Sequence, residues 1–113
     1  MELSAQLSGT CLVATVGVSE VDHTVSDDFR DALLSRYERA GAVDLLLDLT
    51  QVAFMDSKAI GAMVSVRKAV AAKDGRMGLC GLHPHVAKIV RVVTLGAIFD
   101  VFADAGQGLA QYR

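Results

Sequence analysis

Val52-Ala-Phe-Met-Asp-Ser-Lys-Ala-Ile-Gly61 is the stretch on which the fold turns. Ahead of it, Leu45-Leu-Leu-Asp-Leu-Thr50 reads as a buried strand. Behind it, Ile60, Met63, Val66 and Val70 recur at helical spacing. Asp56 and Ser57 therefore stand where the chain leaves a sheet and begins a helix. Free backbone N–H groups at such a point favour negative charge. A serine there is either an ordinary helix cap or the site of a charge switch.

Outward from this stretch, strands and helices alternate. Residues 2–7 are expected to form a short first strand, ended by the turn Ser8-Gly9-Thr10, and Cys11–Val18 a second. A helical pattern runs from Val25 through Phe29, Leu33 and Tyr37, with Thr24 as N-cap, Asp27 completing a capping box, and Gly41 as the stop. Val43–Leu49 is apolar on both faces apart from Asp44 and Asp48, as in a central strand covered by helices. A second helix is expected over 58–72, closed by Lys73-Asp-Gly75, and a strand over Arg76–Gly81. Pro84 suits the first turn of a third helix reaching Val93. Ala97–Phe102 reads as a last strand, and Asp104–Gln111 as a short helix weakened by Gly106 and Gly108. The alternation defines an α/β layer fold, and 113 residues suit a single domain over 1–113.

No apolar run approaches the eighteen or so residues of a membrane span. The opening Met-Glu-Leu-Ser-Ala-Gln lacks the order of a signal peptide. Cys11 and Cys80 sit in separate strand-like runs and read as buried, reduced thiols, so the cytoplasm is the expected compartment. Net charge is −2, yet residues 1–56 carry ten acids against three bases and residues 57–113 three against eight. Glu20, Asp22, Asp27, Asp28 and Asp31 form an acidic segment, either an ordinary solvated surface or a rim that steers a basic patch on a partner. Direct nucleic-acid binding is not expected, because basic residues are dispersed and aromatics few.

Phe54-Met-Asp-Ser-Lys-Ala-Ile-Gly61 resembles the signature of bacterial anti-sigma-factor antagonists, small STAS-domain proteins. In that family an aromatic, Met and Asp precede a phosphorylatable Ser, a small residue, Gly, an aliphatic residue and Gly. Asp56, Ser57, Ile60 and Gly61 match. Lys58 stands where Ser, Thr or Ala is usual, and Ala59 replaces the first Gly. Glu20-Val-Asp22 resembles the family's short acidic segment before its first helix, and Thr94-Leu-Gly-Ala-Ile-Phe99 its late Gly-aliphatic turn. The resemblance implies a STAS-like α/β fold, a four- to five-stranded mixed sheet with helices packed mainly on one face.

It also implies a function. The partner would be an anti-sigma factor with serine kinase activity, bound by the unmodified protein and released when Ser57 is phosphorylated. A phosphatase would reset the switch. No cofactor or membrane insertion is implied, and the protein would act as a monomer or weak dimer. Scaffold duty in a lipid transporter or a sensory assembly is the alternative use of the same fold.

Helical spacing puts Ala59, Ile60, Met63, Val66 and Val70 on one face of the second helix, and Ser57, Gly61, Ser65, Lys68, Ala69 and Ala72 on the other. The second face is small-featured apart from Lys68, so another backbone can approach closely; alanine's helix propensity is the plainer account. With the resemblance, the expected docking residues are Asp22, Thr24, Asp56, Ser57, Lys58, Gly61, Ser65 and Lys68. Arg67 lies at the edge of the core face, its stem on apolar surface and its guanidinium toward water. His83-Pro-His85 lacks a third ligand for zinc, His23 flanks a helix start, and Met55 and Met63 read as core filler. No Gly-x-Ser-x-Gly elbow or phosphate-cradling glycine loop accompanies Ser57, so neither enzymatic activity nor a metal site is expected.

Overall fold

The computed structural model describes residues 1–94 and 98–112. Its strands are β1 (Leu3–Ser8), β2 (Cys11–Val16), β3 (Glu20–Val21), β4 (Asp44–Asp48), β5 (Phe54–Met55), β6 (Met77–Cys80) and β7 (Asp100–Phe102). Its helices are α1 (Ser26–Ala40), α2 (Ser57–Ala71), α3 (Pro84–Thr94) and α4 (Ala105–Tyr112). The main sheet has the order β1-β2-β4-β6-β7. β1 runs antiparallel to β2, and the other pairings are parallel. The mixed sheet has five strands, within the four to five expected.

Strand alternation divides the core in two. Leu45 and Leu47 of β4 face the larger cluster, with Phe29, Leu33 and Tyr37 of α1, Ile60, Met63 and Val66 of α2, and Val86 and Val90 of α3. Leu46 faces the other side, where Cys11, Cys80 and Tyr112 pack with Phe102, Ala105 and Leu109. Three helices thus cover one face and only the short α4 covers part of the other. Burying side chains of this size fully is worth about 1.5–3 kcal/mol each, which makes α2's apolar stripe a principal tie between helix and sheet. Cys11 and Cys80 are buried free thiols, as the sequence reading held.

Two local features fit their sequence. Gly41 ends α1 at φ 66°, a left-handed conformation open to glycine at little cost. Gly108 is where α4 meets the sheet: a Cβ there would lie 2.7 Å from both methyls of Leu46. This glycine permits close packing, beyond its cost to helix propensity.

Other expectations need correction. Thr24 does not cap α1. Val25 holds the cap position with no side-chain hydrogen bond, because Asp22 Oδ1 has captured both the Thr24 N–H and its hydroxyl in a local turn. The capping box through Asp27 is therefore absent. The central strand is shorter than read, Asp44–Asp48, although Leu49 is buried and its N–H still donates to Cys80 O at 3.0 Å. A second, two-stranded parallel sheet joins β3 to β5. Elements of two residues carry no readable period. Of the last strand, Ala97 lies outside the described residues, as do Leu95 and Gly96 of the Gly-aliphatic turn. Among the described residues no helix is long and apolar enough to cross a membrane.

Candidate functional site

β2 and β4 run parallel, so the segments that follow them emerge at the same end of the sheet. After β2 the chain forms β3, and after β4 it forms β5. Ser19 O accepts from Ala53 N at 2.8 Å and from Phe54 N at 3.2 Å, and Val21 O accepts from Asp56 N at 3.4 Å. This small ladder carries the segment 20–24 to the start of α2.

Asp56 caps α2. Its extended backbone, at φ −99° and ψ 176°, lets Oδ1 accept from Ala59 N at 2.9 Å. Oδ2 accepts from His23 N at 2.7 Å, and the His23 Nδ1 lies 3.5 Å from the same oxygen. The cap role weighed for Ser57 thus belongs to its neighbour. Ser57 is the first residue of the helix, exposed, and among the described residues its hydroxyl forms no hydrogen bond within the chain. Asp22 stands on the adjoining loop, its carboxyl held below its usual pKa by the Thr24 hydroxyl and N–H.

The two faces of α2 separate as helical spacing requires. Ala59, Ile60, Met63, Val66 and Val70 are fully buried. Ser57, Lys58, Gly61, Ser65, Lys68 and Ala72 are exposed, and Ala69 is half-buried. A Cβ at Gly61 would meet nothing within 4 Å, so this surface is open at the backbone itself. Met55 and Met63 are core residues, as read. The Nε of Arg67 donates to Ile98 O at 2.7 Å, tying α2 to the segment before β7; its guanidinium does more than reach water.

Of the expected residues, Asp56, Ser57, Lys58, Gly61, Ser65 and Lys68 lie along α2 and its cap, and the β3–β5 ladder adds Asp22 and Thr24. His23 was missed as anything beyond a flanking residue. Its backbone bond to Asp56 spans 33 positions, and no local pattern signals it. The Phe54–His85 stack, with ring centroids 5.6 Å apart, was missed for the same reason.

The arrangement offers a free hydroxyl at a helix N-terminus, beside an ordered carboxylate and above a shallow exposed face. The STAS domain family model matches residues 4–108, and the chain belongs to that family. The anti-sigma F factor antagonist of Paenibacillus polymyxa is 26% identical over 92 residues, 81% of this chain and 79% of that protein. An anti-sigma factor antagonist from Mycobacterium paratuberculosis is similar in structure, with a TM-score of 0.84 at 16% identity over 99% of this chain and 93% of that one. The Bacillus cell fate determinant SpoIIAA in its phosphorylated form gives a TM-score of 0.73 at 18% identity, covering 99% of this chain and all of that one (100%). At these identities the solved structures establish the fold.

Proposed function

We propose that this protein is a cytoplasmic anti-sigma-factor antagonist in a partner-switching pathway. In the unmodified state it binds an anti-sigma factor that has serine kinase activity. Phosphorylation of Ser57 releases it, and a phosphatase restores binding. The protein has no catalytic role of its own in this scheme. One observation carries the reading: Asp56 supplies the helix cap, which leaves the exposed Ser57 hydroxyl without structural work.

The physics of release follows from that position. Phosphate adds about −1.5 to −2 charges at neutral pH. Within this domain the start of α2 tolerates that charge, because the helix dipole and free N–H groups face it. Across a packed interface the same group brings bulk, repulsion and a desolvation cost. Contact fails while the fold survives.

The test uses the anti-sigma factor encoded with this protein in its native genome, purified and incubated with it and ATP. Peptide mapping should place the phosphate on Ser57. Ser57→Ala should stay bound and Ser57→Glu should be released, both with melts showing an intact fold. Phosphate on Thr24 or Ser65 instead, or equal binding by the two variants, would overturn the proposal.

A further inference from the structure

The two edges of the main sheet differ. β7 is three residues long and begins with the carboxylate Asp100. β1 is six residues long and reads Leu3-Ser-Ala-Gln-Leu-Ser8, without charge or proline. Among the described residues it pairs with β2 alone. Natural sheets blunt their edges with charge, proline or brevity, and β1 has none of these guards. Glu2 O accepts from Gly17 N at 2.9 Å, so by alternation the even-numbered residues of β1 bond to β2. The N–H and C=O groups of Leu3, Ala5 and Leu7 therefore point to the open edge.

α1 lies along this edge and runs in the same direction. Asp28 Oδ2 is 3.3 Å from the Met1 N just before β1, while Arg36 and Arg39 share a groove with Leu7 and Leu12 at its far end. Helical spacing sets Asp28 and Arg39 on one stripe, flanked by Asp31 and Arg36. This flank of the helix is thus acidic at one end and basic at the other. Leu7, on the face of β1 that meets α1, is left 46% exposed.

We propose that this edge joins two copies of the chain, which pair antiparallel through β1 about a twofold axis at Ala5. The register is self-complementary. Ala5 bonds to Ala5 of the second copy, and Leu7 of each copy falls beside Leu3 of the other, where its exposed side chain gains cover. Charge selects the same arrangement. Antiparallel pairing reverses one α1 against the other, so the basic end of each helix meets the acidic end of its mate, whereas parallel pairing would set like charges together. Because α1 sits over β1 and β2, strands at the usual spacing of about 4.8 Å bring the two helices to roughly 10 Å, an ordinary packing distance. This interface is independent of the anti-sigma reading above.

Sedimentation equilibrium over a range of protein and salt concentrations tests the interface, with a melt for each variant. Wild type should form a dimer that salt weakens, and its Ala5 and Leu7 amides should exchange more slowly as protein concentration rises. Ala5→Pro removes bonding to the second copy and none to β2, and should weaken the dimer about tenfold or more. Should that proline disturb β1, charge reversal decides. Arg36→Glu with Arg39→Glu, and separately Asp28→Lys with Asp31→Lys, should each weaken self-association several-fold, and an equimolar mixture of the two should form a heterodimer. A wild type that stays monomeric at millimolar concentration, or a dimer that both Ala5→Pro and the charge reversals leave intact, overturns the proposal.

Discussion

Asp56 holds His23 by the backbone: its Oδ2 accepts the His23 N–H at 2.7 Å while its Oδ1 caps α2 through Ala59. One carboxylate therefore fixes both the helix that begins with Ser57 and the loop beside it. Asp56→Ala should destabilise the protein by about 0.5–2 kcal/mol for the cap alone. Asp56→Asn should cost less, because its carbonyl oxygen can still accept from Ala59 while the second acceptor is lost. Denaturant titrations of the three proteins check this order. Equal loss in both variants would place the effect in the charge or in the bond to His23 rather than in the cap.

Gly61 and Ser65 should matter more to binding than to folding. Both are exposed on α2, and the space around Gly61 is empty. Gly61→Arg and Ser65→Arg should shift stability by no more than about 0.5 kcal/mol, as is usual for surface positions, with a small gain possible where glycine leaves a helix. Each should nevertheless hold a partner off the small face. Calorimetric titration with the anti-sigma factor beside melts separates the effects, and normal binding by Ser65→Arg would remove this face from the interface.

Lys58 is where the sequence departs from the family pattern. Its exposed ammonium follows Ser57 directly. If it contacts the partner, Lys58→Ser should weaken binding of the unmodified protein, and high salt should mimic the change. If it pairs with phosphoserine, the same change should widen the gap between unmodified and phosphorylated forms. That gain would be small, since exposed ion pairs are worth about 0–1 kcal/mol. Partner contact is the expected outcome, because Lys58 adjoins the exposed face of α2. Affinities of both forms at two salt concentrations check it, and an effect confined to the phosphorylated form would contradict it.

Alkaline pH should loosen the fold through its cysteines. Burial, with the Asp44 carboxylate adding to it, pushes Cys11 from 9.0 up to about 11. Burial pushes Cys80 up to about 12. Unfolded thiols ionise near the ordinary value while native ones stay protonated. This contribution is therefore whole below pH 9 and is lost progressively as pH rises toward 11 and 12. Melts across that window should show a declining midpoint. The slope should flatten in a Cys11→Ala, Cys80→Ala double variant, compared with its own value at neutral pH.

The alternation of strands and helices, the buried stripe of α2 and the position of Ser57 were legible because each rests on local periodicity. Gly41 was legible because a helix stop needs a residue at ease with positive φ. The cap of α1 was misread because Asp22, two residues before Thr24, competes for the same groups. Asp44 shows a different limit. It reads as an odd carboxylate in an apolar strand, yet it pairs with Arg76, whose Nη2 lies 2.9 Å from its Oδ2. That partner is 32 positions away and becomes a neighbour only through the pairing of β4 with β6. The Asp56–His23 bond and the Phe54–His85 stack were hidden alike, since each depends on where loops from separate crossovers meet.

The β3–β5 ladder stands apart from the five-stranded sheet, and the Ser57 segment hangs from the smaller of the two. The backbone hydrogen bonds that seat this segment are therefore separate from those of the main sheet, while Val21 and Met55 root the ladder in the shared core. Under the proposed switch, exchange of the exposed residues beside the serine would alter the contact with a partner while the five-stranded sheet keeps its own ladder. The freedom to vary lies with the exposed positions Ser57, Lys58 and Gly61, and stops at Met55 and Asp56, which serve the core and the cap.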